Sequence, residues 1–156
     1  MAATDCEAVA TGWLAQPVLA ITSLAYVLVG IGIVTASRRS GAVAVGVIVT
    51  MVGIGSVAFH GPQPAWAGLA HDVPIGLLAA AIVVDGIRAS RNGGLREYAI
   101  ELRPAAGLMA LAIVTYTVGR TGGPLCDPDG AFQFHGAWHV LSAVAIGLWA
   151  HARLRG

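Results

Sequence analysis

Long apolar runs joined by short polar connectors constrain this chain more than any other feature. They extend from about Pro17 to Ala36, Val43 to Phe59, Leu69 to Ile87, Ala105 to Val118 and Phe132 to Ala152. Crossing a bilayer as a helix takes roughly 17–25 predominantly apolar residues. The chain therefore reads as all-α, a polytopic transmembrane helix bundle of about five spans forming a single integral membrane domain over 1–156. Composition excludes an ordinary soluble domain, since only 11% of residues are charged and 56% are hydrophobic, against about 25% charged in a typical soluble protein. Lysine is absent and the formal net charge is +1, so no basic field points to nucleic acid. The first residues are polar and acidic with no basic start, so no cleavable signal peptide is expected.

Glycine is abundant, at 21 residues. In lipid, small residues let helices approach closely, and Gly30-Ile31-Gly32 and Gly53-Ile54-Gly55 read as packing surfaces. The charged stretch from Arg96 to Arg103 cannot span and is expected to form a short interfacial helix. Arginine sets the orientation. Arg38 and Arg39 follow the first span, Arg88, Arg91, Arg96 and Arg103 follow the third, and Arg153 and Arg155 follow the fifth. With five spans only Arg120 falls on the other side, so the positive-inside rule places the N-terminus outside.

Ionisable groups at membrane depth are costly and are usually kept for function. His60 closes the second run, Asp72 opens the third, and His135 and His139 open the fifth. The five-span topology brings all four to the outer face. His135 and His139 are spaced i, i+4 and share a helix face, as do Ser56 and His60. Three neutral imidazoles suit zinc, which in catalytic sites commonly takes three protein ligands and keeps a position for water. Zinc would bring that water's pKa to about 7 and polarise a carbonyl. Asp72 is placed to act as general base or orienter, and Ser56 to hydrogen-bond the water or a developing oxyanion. His71 reads as interfacial, Asp85 as solvated or paired with Arg88, and Trp138 as packing. Trp13, Trp66 and Trp149 read as interfacial belt residues, and His151 as unrelated to the site. Cys6 and Cys126 both fall outside, where disulfides persist; one bridge or two thiols are open at this point.

The set Ser56-x-x-x-His60, Asp72 within HDVPI, and His135-x-x-x-His139 within FHGAWHVLSA resembles the alkaline ceramidases, membrane hydrolases grouped with adiponectin-receptor-like proteins. Asp5-Cys6-Glu7 and QPVLAITSLAYVLVG also resemble the start of that family. The resemblance implies zinc on His60, His135 and His139, acid/base work by Asp72, transition-state stabilisation by Ser56, and a ceramide-like membrane lipid as substrate. A Cys6–Cys126 pair is compatible with the family. Eukaryotic members have seven spans, two more than this chain shows between Asp72 and His135, and Gln16 stands where calcium-binding members carry a carboxylate. The expected location is the cell membrane, with the active site toward the extracytoplasmic face. Two other readings use the same residues: a haem-binding membrane protein ligating through two of the histidines, and a non-catalytic receptor or assembly subunit whose glycine faces serve oligomerisation.

Overall fold

The computed structural model describes residues 5–154; Arg155, counted above with the C-terminal arginines, lies outside them. Among the described residues seven helices account for the fold: α1 (Pro17–Thr22), α2 (Leu24–Ala36), α3 (Ser40–His60), α4 (Ala67–Arg91), α5 (Leu95–Glu101), α6 (Arg103–Gly119) and α7 (Phe134–Leu154). No strand occurs among the described residues. Three stretches are long and apolar enough to cross a membrane: Pro17–Ala36, Ser40–His60 and Ala67–Arg91. A fourth is reached if α5 and α6, bent by 61°, count as one span. The fifth apolar run forms α7, which is long enough at 21 residues but less apolar, because it carries His135, His139, Ser142, His151 and Arg153. The charged stretch expected to lie at the interface forms α5.

Neighbour relations give a row in which α4 packs on α3, α3 on α2, α2 on α7 and α7 on α6, with α1 wedged between α3 and α7. The core is built from small and β-branched residues of these faces, including Val45, Val49, Val52, Ala143 and Ile146, with Tyr26 and Trp149 as its large members. The first span is not one smooth helix. At its break, Ser23 Oγ donates to the Leu19 carbonyl at 2.7 Å and Thr22 Oγ1 to that of Val18 at 2.8 Å. Hydroxyls that bond back to the preceding turn compete with the ladder and bend helices.

The expected glycine surfaces hold at three positions of four. A Cβ at Gly30 would strike Thr50, one at Gly53 would strike Val27, and one at Gly55 would strike the Ala70 carbonyl oxygen. Gly32 faces open space. The Gly55 contact has a covalent origin in α4. Pro74 lies inside that helix and is buried; lacking an N–H, it cannot donate to the carbonyl four residues earlier, that of Ala70. The freed carbonyl then abuts the bare Cα of Gly55, and α3 and α4 close at that point.

Trp149 corrects its expected place in the interfacial belt. It is 5% exposed, because its indole N–H donates to Asp85 at 3.2 Å. Asp85 is neither solvated alone nor paired with Arg88; it accepts from Arg153 at 3.1 Å. Trp13 and Trp66 are 76% and 58% exposed, as belt residues are.

Gly55→Ala should destabilise the bundle by about 1–3 kcal/mol, the range for overpacked interiors, whereas Gly32→Ala should leave stability within about 0.5 kcal/mol. Reversible unfolding in mixed micelles checks both; equal effects would contradict the α3–α4 contact described above.

Candidate metal centre

The turn that closes α3 and the first turns of α7 bring three imidazoles together. His60, His135 and His139 are all buried and each offers one ligand nitrogen, with these atoms all within 4.8 Å of one another. Their ring centroids lie 4.9 to 5.7 Å apart. The helical i, i+4 spacing explains the His135–His139 pair. His60 meets them because α3 ends at the level where α7 begins, beside α1.

The surroundings fix which nitrogen of two rings is free. Gln16 Nε2 donates to the Glu7 carbonyl at 2.9 Å, so Gln16 Oε1, 2.9 Å from His60 Nδ1, is an acceptor and that nitrogen carries the proton. His60 Nε2 is then a bare lone pair, and it is buried with no hydrogen-bond partner. Next to His139 Nδ1 stand Thr22 Oγ1 at 3.2 Å and Ser23 Oγ at 3.3 Å. Both hydroxyl protons are engaged by backbone carbonyls of α1, so His139 Nδ1 is the donor and its Nε2 is left for the cluster. Outer partners of this kind select the tautomer of ligating histidines in metal sites.

Ser56 is buried in the same network. Its Oγ lies 2.8 Å from Ser23 Oγ, whose own proton goes to Leu19, so Ser56 is the donor. Tyr26 hydroxyl and Ser142 Oγ, 2.6 Å apart, tie α2 to α7 one turn beyond His139. The bridge between Cys6 and Cys126 is formed, with Cα atoms 5.5 Å apart. It pins the segment before α1 to the connection leading into α7. That segment runs over the cluster. Glu7 carboxylate accepts the Val18 and Leu19 amides, each at 2.9 Å, which caps the N-terminus of α1. Ala15 and Gln16 amides donate to the Gly61 and His60 carbonyls. Asp5, 5% exposed, sits against His135 and His60.

Asp72 is not brought into the cluster. Its side chain is 79% exposed and lies 2.7 Å from His71 Nδ1. His71, expected to be interfacial, lies closer to the site than that reading implied. It is stacked on Phe59 at 4.8 Å, and its ring lies 6.2 Å from that of His60, so it borders the site. Trp138 packs on Tyr116, as expected. His151 is at the far end of α7, lining an apolar cavity of about 280 Å³ with Val29, Ile33 and Leu154. Sequence reading missed Asp5, Gln16, Thr22 and Ser23. The sequence signal for the last three was present: polar side chains at the start of an otherwise apolar run.

The donor set fits zinc. Four-coordinate zinc with Zn–N of about 2.0–2.1 Å holds its nitrogens roughly 3.4 Å apart. Nitrogens within 4.8 Å of one another lie near that separation. The bare, buried Nε2 of His60 suits a metal ligand, because a buried polar atom without a partner calls for an explanation such as an ion. Comparison with protein-family models, curated proteins and solved structures found no match for this chain.

Removing one of three ligands should cost more than the roughly 10–100-fold loss that outer-shell changes cause. Equilibrium competition with a chromophoric chelator should show that loss of zinc affinity in His60→Ala, His135→Ala and His139→Ala. Wild-type affinity in any one of them would remove that residue from the ligand set.

Proposed function

We propose that the protein is a ceramidase-like integral membrane hydrolase that holds zinc on His60, His135 and His139 and cleaves an amide or ester bond of a membrane lipid. The observation that carries this reading is the buried three-imidazole cluster, with ring tautomers set by Gln16, Thr22 and Ser23, beside the hydroxyl of Ser56. We take the chain to have five spans, with α5 and α6 forming the fourth and α7 the fifth, and the N-terminus outside in the cell membrane. The arginine distribution supports this. So does the disulfide, which favours an oxidising compartment and lies at the same end of the bundle as the histidines.

Bound zinc would supply a Lewis acid and an acidified water. The residues of the chain do the rest. The apolar helix faces around the site admit a lipid laterally and exclude bulk water. Ser56 turns its proton from Ser23 to the oxygen on which negative charge develops. Asp72 serves as the acid/base through His71: the carboxylate holds His71 Nδ1–H, and the imidazole passes a proton between the reacting centre and the mouth. The haem reading fits less well. Two axial histidines face each other across a planar macrocycle, and here a third imidazole nitrogen lies within 4.8 Å of both, where the macrocycle ring would stand.

Purified protein loaded with zinc should release fatty acid from a lipid amide or ester in a mixed-micelle screen. Asp72→Ala should keep its zinc and lose about 10²–10⁴-fold in turnover, the range for a lost acid/base. Full turnover in Asp72→Ala would remove it from the mechanism. Stoichiometric zinc with no turnover on any lipid amide or ester would favour the non-catalytic receptor or assembly subunit.

A further inference from the structure

Two of the three imidazoles have an oxygen within hydrogen-bonding reach of Nδ1, Gln16 for His60 and Thr22 with Ser23 for His139. The third does not. His135 Nδ1 is buried and has no hydrogen-bond partner. The nearest acidic oxygen is Asp5 Oδ1 at 3.6 Å, and the other oxygen of that carboxylate is 4.0 Å from His60 Nδ1. A separation of 3.6 Å exceeds a hydrogen bond and is within the range of an ion pair. The Asp5 side chain is 8% exposed, so its carboxylate faces the two rings away from bulk water.

We infer that Asp5 is the positioning carboxylate of the metal centre. With a metal bound, the 3.6 Å gap would close so that Asp5 accepts Nδ1–H of His135, Nε2 of that ring turns inward to match His60 and His139, and the negative charge offsets part of the charge of a dication held by three neutral ligands. This inference rests on the metal reading above and deepens it. Other carboxylates near this end of the bundle have different work. Glu7 is spent on the Val18 and Leu19 amides, and Asp72 is exposed and bound to His71.

The two residues that follow Asp5 are both fastened. The next residue, Cys6, is bridged to Cys126 in the connection that leads into α7, and its amide donates to Thr121 Oγ1 at 3.1 Å. Glu7 is locked to the start of α1. A carboxylate directly before two such anchors is held close to His135, and the bridge joins its segment to the connection that leads into the helix carrying that histidine.

The test uses the full chain in detergent, with zinc as the probe and affinity as the readout. Asp5→Ala should bind zinc about 10–100-fold more weakly than wild type, the loss typical of a carboxylate removed from behind a ligating histidine. Asp5→Asn keeps an acceptor oxygen and loses the charge, so its affinity should fall between the two. Melting of the metal-free proteins and completeness of the Cys6–Cys126 bridge should be unchanged in Asp5→Asn, which separates positioning from folding. Cobalt in place of zinc should give a tetrahedral visible spectrum that is altered in Asp5→Ala. Zinc bound equally tightly by wild type and by both variants would overturn this inference alone. Failure of the wild type to bind zinc at all would overturn the metal reading, and this inference with it.

Discussion

A neutral imidazole has one nitrogen that must donate and one that must accept, and burying it away from water leaves both to be satisfied by the protein. Three such rings at one end of an apolar bundle therefore dictate much of what surrounds them. Gln16 is wholly buried at the mouth of α1 because His60 needs an acceptor there. Thr22 and Ser23 face inward, and their backward bonds to α1 carbonyls both break the first span and commit their oxygens to accept from His139. Each unpaired buried polar group costs on the order of 1–3 kcal/mol. The bend costs less than it would otherwise, because both hydroxyls bond back to carbonyls of the preceding turn.

The same demand explains why the segment before α1 lies over the cluster instead of extending into solvent. Left uncovered, the histidines would face water and any metal would exchange freely. Covered, they need the cover held in place. The disulfide does this across a sequence separation of 120 residues. In a soluble chain a loop of that order would contribute about 4–5 kcal/mol by restricting the unfolded state; in a bilayer the unfolded chain is already restricted, so that value is an upper bound. The helix-capping carboxylate of Glu7 adds a second, local tie. Cover and cluster are thus assembled by one covalent and several polar contacts, with little apolar burial. That suits the lateral entry of a lipid that the proposed function requires.

The elements of the fold were legible because apolar run length is a direct physical consequence of bilayer thickness. The five runs correspond to Pro17–Ala36, α3, α4, α6 and α7 within a few residues at each end. The histidine cluster was legible too, since i, i+4 spacing and position along a span fix the helix face and the depth of a side chain. What spacing does not fix is rotation of one helix against another. Asp72 has the depth expected of it, but the turn of α4 that buries Pro74 against α3 leaves Asp72 outward and brings His71 to the edge of the site. Asp5 was illegible for a different reason. It lies in a segment with no periodicity, and its place follows from a bridge to a residue far along the chain. Trp149 shows the limit of residue-type rules: an indole near the end of a span suits the interface, but a carboxylate on a neighbouring helix drew it inward.

That carboxylate shows how the opposite end of the bundle is closed without a covalent tie. Asp85 on α4 accepts from Trp149 and Arg153 on α7, and Arg153 also reaches Glu101 on α5 at 3.0 Å and lies over the Tyr98 ring at 4.8 Å. Arg153 and Asp85 are 24% and 20% exposed. A single exposed ion pair contributes little, about 0–1 kcal/mol. Here the guanidinium is shared by two carboxylates and an aromatic face, and its partner carboxylate also takes an indole proton, so the geometry is over-determined by several weak contacts. The two ends are therefore built on different physics. One is a covalently fastened cover over neutral polar groups, suited to holding a fixed site. The other is a partly solvated charge network that joins α4, α5 and α7, where water can replace any single contact at small cost.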